Sequence, residues 1–142
     1  MKTIANAGIS ADLSASGANV QTWRNADGSI NSNSCVDTLI GVENLGGTQG
    51  NDRIIGNAND NNLMGYDGDD LINAGAGNDT FTGGAGNDIV TAGAVLASTG
   101  LVDAGAGTAD RLVITADAQL TTVTAPFYKG FEVLQANTGV TA

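Results

Sequence analysis

The chain has no histidine, one proline, one cysteine, one tryptophan, two tyrosines and three phenylalanines among 142 residues. Without histidine there is no imidazole to serve as a general base or as a zinc ligand, and Cys35 has no base partner to activate it. A single cysteine forms no disulfide within the chain, so no disulfide framework holds it together, and Cys35 reads as an incidental small side chain beside Val36. Basic residues are scarce: five Lys and Arg against fifteen Asp and Glu give a formal charge of −10. Such a surface repels phosphate and excludes the usual modes of nucleic-acid binding. No Gly-x-x-x-x-Gly-Lys loop is present, and no apolar run reaches membrane-spanning length. Lys2 is followed by a mixed stretch rather than a continuous apolar one, so no signal peptide is expected here. So few aromatic residues promise a thin core, although a domain of this length normally hides about two-thirds of its unfolded surface.

Glycine, asparagine and aspartate take the place of what is missing, and they come in a nine-residue rhythm. From Gly47 to Thr91 the blocks are GTQGNDRII, GNANDNNLM, GYDGDDLIN, AGAGNDTFT and GGAGNDIVT. The sixth position is Asp52, Asn61, Asp70, Asp79 and Asp88, and the eighth is Ile54, Leu63, Ile72, Phe81 and Val90. Glycine holds the fourth position at Gly50, Gly68, Gly77 and Gly86, with Asn59 the exception. A unit this short cannot bury an apolar face alone and must stack on its neighbours, which is the sign of a solenoid.

The chemistry of one block follows from its residues. The first six positions are too rich in Gly, Asn and Asp for a helix or a packed strand and form a turn. Glycine lets backbone carbonyls converge, and the aspartate adds a carboxylate. Oxygen donors of both kinds gathered on a turn suit a hard cation, calcium above all. The last three residues extend as a short strand with one side chain facing inward.

These blocks follow the pattern Gly-Gly-x-Gly-x-Asp-x-U-x, with U a large apolar residue. In this the chain resembles the RTX, or haemolysin-type, calcium-binding repeats of secreted bacterial proteins. The resemblance implies an all-β fold, a parallel β-roll or right-handed β-solenoid with two blocks per coil and several Ca2+ ions between turns stacked on one side. It places Asp52, Asp70 and Asp88 on one edge and Asn61 and Asp79 on the other. The implied metal-binding residues are those five together with Gly50, Gly68, Gly77 and Gly86. Asn61 brings no charge, so its edge is expected to bind more weakly. Asp60, Asp67 and Asp69 read as solvated acids, and Tyr66, at a second-glycine position, must send its ring toward solvent or a partner.

The flanks are less regular. Residues 1–36 are expected to form N-terminal strands and a cap, with a short strand over Gly8–Leu13 and Trp23 closing the end of the core. DTLIGVENL, at Asp37–Leu45, precedes the nonapeptides as it does in the family, with Glu43 nine residues before Asp52 and Leu45 nine before Ile54. Glu43 reads as a solvated or turn-bonding carboxylate. The β-roll is expected to span 37–113, with an irregular insertion near 94–101 where the rhythm slips. Val102 resumes the inward row. Asp110 stands one place later than the motif would put it and reaches a metal only if its turn is one residue longer; Asp103 is the competing candidate. Residues 114–142 read as C-terminal strands, as a cap or the start of a next module, and GFEVL at 130–134 echoes GVENL at 41–45.

Adjacent carboxylates such as Asp69 and Asp70 suggest glycosidase chemistry only superficially, since they lie in a repeating turn whose every copy would have to be catalytic. The chain is expected not to be an enzyme. The resemblance implies instead a calcium-dependent structural module of a secreted or cell-surface protein, a surface layer or adhesin, that folds after type I secretion. The alternative is a non-catalytic accessory domain of a secreted hydrolase, lipase or epimerase. The partners implied are calcium ions and neighbouring modules of the same protein or identical subunits, with no nucleic acid and no membrane insertion. Binding of carbohydrate or ice needs a regular outward row, and the outward positions mix Arg53, Asn62, Leu71, Thr80 and Ile89.

Overall fold

A computed structural model describes residues 8–14, 18–22, 36–91, 101–115 and 128–136. Trp23, Cys35, the strand expected at 120–125 and all but Leu101 of the irregular stretch near 94–101 lie outside these residues. The described residues form strands and turns with no helix.

The strands alternate between two sheets. The larger carries β1 (Ile9–Asp12), β2 (Ala18–Thr22), β3 (Val36–Leu39), β5 (Arg53–Ile55), β7 (Leu71–Asn73), β9 (Ile89–Thr91), β11 (Arg111–Ile114) and β13 (Val133–Ala136). The smaller carries β4 (Asn44–Gly46), β6 (Asn62–Asp67), β8 (Thr80–Ala85), β10 (Val102–Ala106) and β12 (Tyr128–Lys129). Their orders are β13-β11-β9-β7-β5-β1-β2-β3 and β12-β10-β8-β6-β4. From β4 onward the chain thus crosses from one sheet to the other at each block. It lays every strand parallel to the one a full coil earlier, which is the β-roll that the family resemblance implies.

Register follows from that period. Ile54 lies beside Ile72 and Ile72 beside Val90 in one sheet, and Leu45, Leu63, Phe81 and Val102 line up in the other. Because side chains in a strand alternate in direction, only the middle residue of each three-residue strand faces the opposite sheet. Ile54, Leu63, Ile72, Phe81, Val90, Val102, Leu112 and Ile114 accordingly make one buried cluster with Leu13 and Ala74. Each aliphatic side chain so buried contributes about 1.5–3 kcal/mol, so the core is one narrow file from each sheet, built of small contributions.

The N-terminal end departs from the repeat. β1 pairs parallel with β5, Ala11 beside Ile54, and so fills the place of a nonapeptide strand. β2 then runs antiparallel to β1, and β3 antiparallel to β2, which ends the parallel stacking at that edge of the larger sheet. At the opposite end Leu134 stands next to Leu112 in the inward file yet is 60 % exposed, because no further coil among the described residues covers it.

Glycine at the fourth position is needed where coils touch. Gly68, Gly77 and Gly86 have φ of 116°, 118° and 132°, and a Cβ on any of them would overlap the backbone of the preceding coil. Tyr66 shares this left-handed region at φ 83°, beside Gly84 of the next coil. Its half-exposed ring lies against Gly46, on the outer face of the smaller sheet.

Candidate metal-binding edge

Stacking at a constant register turns single aspartates into columns. On the larger sheet's edge the column is Asp52, Asp70, Asp88, Asp110 and Glu132; on the other it is Asn61 and Asp79, with Glu43 in line before them. The aspartates and Asn61 are buried, although these side chains are the most polar in the motif. A buried carboxylate is tolerated only with donors around it.

The donors come from the preceding coil. The backbone N–H of Asp52 donates to Asp70 Oδ1 at 2.8 Å, Asp70 to Asp88 Oδ1 at 2.9 Å, Asp88 to Asp110 Oδ1 at 2.7 Å and Asp110 to Glu132 Oε2 at 2.8 Å. On the opposite edge Asn61 donates to Asp79 Oδ1 at 2.9 Å. A second ladder runs the other way through the fifth positions. Asp69 N–H donates to Asn51 Oδ1, Asn87 to Asp69 Oδ1, Thr108 to Asn87 Oδ1 and Asn78 to Asp60 Oδ1, at 2.8–3.2 Å. Asp60 and Asp69, read from sequence as solvated acids, are solvent-exposed but also tie one coil to the next. Composition alone could not show this, since the partner lies eighteen residues away.

The second carboxylate oxygens divide the aspartates. Oδ2 of Asp70, Asp88 and Asp110 is buried and accepts no hydrogen bond from the protein. Asp52 differs: Oδ2 accepts the Thr48 N–H at 2.6 Å, while Oδ1 accepts Ile9 N–H and the Thr48 hydroxyl. Leaving a buried polar atom unpaired costs about 1–3 kcal/mol, so three such oxygens in a thinly built chain call for a partner.

Each of the repeat oxygens lies close against a glycine of its own block, beside a backbone carbonyl. A methyl group placed on Gly65 would overlap Asp70 Oδ2 and the Gly83 carbonyl oxygen. One placed on Gly83 would overlap Asp88 Oδ2 and the Ala104 carbonyl oxygen. The missing side chain of the first glycine therefore lets its own block's carboxylate oxygen and a backbone carbonyl of the next coil approach one another, forming a small cradle of oxygen donors. In Asp79's block this first position is Ala74, which is buried in the core cluster. At Asn61, a methyl on Gly56 would meet the side-chain oxygen and the Ala74 carbonyl, but that oxygen already accepts Asn57 N–H at 2.8 Å.

Burial shapes the electrostatics of the same groups. Desolvation is the largest influence and pushes Asp70 up to about 7 and Asp79 and Asp88 up to about 6; neighbouring carboxylates add to the rise, and hydrogen bonds oppose it. Asp52 is also raised by burial, against three hydrogen bonds. Such a column resists being fully ionised without a cation.

Among the described residues no three acidic or cysteine side chains converge on one point. The donors on offer are a carboxylate together with backbone carbonyls, all hard oxygen atoms of the kind that bind Ca2+. Three overlapping stretches, 37–72, 46–80 and 64–94, match the model of the RTX calcium-binding nonapeptide repeat, in four copies. Residues 37–94 are an RTX repeat array. No curated protein matches the chain. RTX repeats are non-catalytic structural modules, and the catalytic role excluded on residue chemistry agrees with that.

The RTX array ends before Asp110, yet the column does not. The turn before Asp110 holds one more residue than the repeat, since Gly107 aligns with Gly86 while Asp110 aligns with Asp88. That extra residue brings Asp110 into line. Asp103, the competing candidate, lies on the outer face of β10 in an ion pair with Lys129 at 2.7 Å. Glu132 was missed as a member of the column. The signal was present in the GVENL and GFEVL echo, because Glu43 and Glu132 both stand at the aspartate position of their edge. Glu43 takes the turn-bonding role, accepting the Asn59 side-chain amide at 3.3 Å.

Proposed function

We propose that this chain is a calcium-dependent structural module of a secreted or cell-surface bacterial protein, of the surface-layer or adhesin kind, that folds on binding calcium after export. The observation that carries the reading is the pair Asp70 Oδ2 and Asp88 Oδ2: buried, without a protein donor, and facing cradles that also hold a carbonyl oxygen. Calcium would bind there first. Asp79, Asn61 and Asp52 would complete the set more weakly, the first two around a block without the full charge and the last with both oxygens already engaged. The glycines Gly50, Gly68, Gly77 and Gly86 serve by letting successive turns close onto one another.

The energetics suit a folding switch. Without metal, the −10 charge and the unpaired oxygens oppose the roll, while the narrow core supplies little to offset them. Binding neutralises charge only in the stacked state, so metal affinity becomes folding free energy. Low calcium inside the cell then keeps the chain open for export, and higher calcium outside closes it.

Calcium added to metal-stripped protein, followed by far-ultraviolet circular dichroism with magnesium as the control, tests this. A cooperative gain of β signal with calcium and not magnesium is the expected result. A metal-free chain that is already folded and indifferent to calcium would remove the basis of the proposal.

A further inference from the structure

We propose a divalent-cation site outside the repeat array, built on Asp110, that fastens the last described coil to the roll. It rests on the calcium-binding reading above and extends it to residues beyond 94. Asp110 is 0 % exposed, and its Oδ2 has no hydrogen-bond partner. Among the described residues no basic side chain makes an ion pair with it: Arg111 reaches to Gln135 at 3.3 Å, and Lys129 is engaged with Asp103.

The cradle here is built differently from those of the repeats. The first-position glycine of the motif is replaced by Ala104, which is fully buried. The longer turn sets Gly107 against the carboxylate instead. A Cβ on Gly107 would lie 2.6 Å from both Asp110 oxygens and would overlap the Gly86 carbonyl oxygen. A carboxylate and a carbonyl from the preceding coil thus converge beside one glycine, the same donor chemistry reached by another backbone path. Calcium is the ligand class that fits, since every donor is oxygen and calcium accepts irregular oxygen coordination where magnesium demands an octahedron.

The consequence is structural. The backbone N–H of Asp110 donates to Glu132, and its carbonyl accepts the N–H groups of Glu132 and Val133 at 3.1 and 2.9 Å. Residues 128–136 bury few apolar side chains, with Val133 and Leu134 exposed. A cation on Asp110 would therefore order this coil through hydrogen bonds that packing alone supports weakly.

The test uses the full chain, with calcium as the probe, in calorimetric titration and in amide hydrogen exchange. Asp110→Asn keeps the Oδ1 acceptor for Asp88 and removes the charge. It is expected to bind one calcium ion fewer and to lose calcium-induced protection at 128–136, while residues 52–91 stay protected. Gly107→Ala keeps the carboxylate but sets a methyl against both of its oxygens, and is expected to give the same two changes; it decides the matter if Asp110→Asn does not fold. Unchanged stoichiometry and unchanged protection at 128–136 in a wild type that binds calcium would overturn this site alone. A wild-type chain that binds no calcium would overturn the repeat sites as well.

Discussion

The backbone N–H of Asp70 donates to Oδ1 of Asp88, one coil further on, at 2.9 Å, and leaves Oδ2 of Asp88 buried with nothing to accept from. The bond makes the carboxylate part of the stacking, and the free oxygen makes that stacking depend on what else is bound. One side chain therefore serves as a structural rung and as a candidate ligand.

Substituting that rung separates the two roles. Asp88→Asn retains Oδ1 as acceptor, and its amide N–H would face the Ala104 carbonyl that now stands beside the free oxygen. The metal-free chain is expected to gain β structure, since a buried charge is removed. In calcium the variant is expected to be less stable than wild type, with the folding midpoint moved at least tenfold upward in calcium, about 1.4 kcal/mol. Circular dichroism at fixed calcium concentrations reads both. A variant weaker under both conditions would mean that the carboxylate serves the fold without metal.

Acidity should act on the metal-free chain in the opposite sense to the usual acid denaturation. Asp70 at about 7 and Asp79 and Asp88 at about 6 lie above the ordinary carboxylate value of 3.8. Between those limits the folded chain binds more protons than the unfolded one, so stability falls as pH rises from about 4 to about 7. Metal-stripped protein is expected to be more structured at pH 5 than at pH 8. With saturating calcium the order should reverse, because protons and calcium compete for the same oxygens. Thermal unfolding at the two pH values, with and without calcium, checks the crossing; parallel behaviour in both conditions would contradict it.

Tyr66 presents two opposing terms at one residue. Its φ of 83° costs a non-glycine residue roughly 1–2 kcal/mol, while its ring covers Gly46 on the edge strand β4. Tyr66→Gly relieves the first and loses the second. In calcium it is expected to unfold within about 1 kcal/mol of wild type. A loss well beyond that would show that the ring's cover of β4 outweighs the backbone strain.

The sequence by itself determined the period, and the period carried much of the rest. Nine residues with one apolar position cannot form a core except by stacking, so a solenoid and its inward residues from Ile54 to Val90 were legible from the period, and the resemblance to the RTX repeats added the roll and the two aspartate columns. What lay outside the rhythm was not legible in the same way. That β1 would take the place of a repeat strand beside β5 depends on a pairing across more than forty residues, with no aspartate at Ile9 to announce it. Asp110 and Glu132 join the column at steps of twenty-two residues instead of eighteen, a register that only closure of the actual turn could fix. The difference between Asp52 and Asp70 is local, although both motifs supply the same carboxylate. Thr48 stands four residues before Asp52 in the same block and satisfies its second oxygen, whereas the block of Asp70 has Tyr66 in that place and its second oxygen is left unpaired. Local chemistry sets which oxygens a turn satisfies by itself; only the contact of one coil with the next sets the rungs between them.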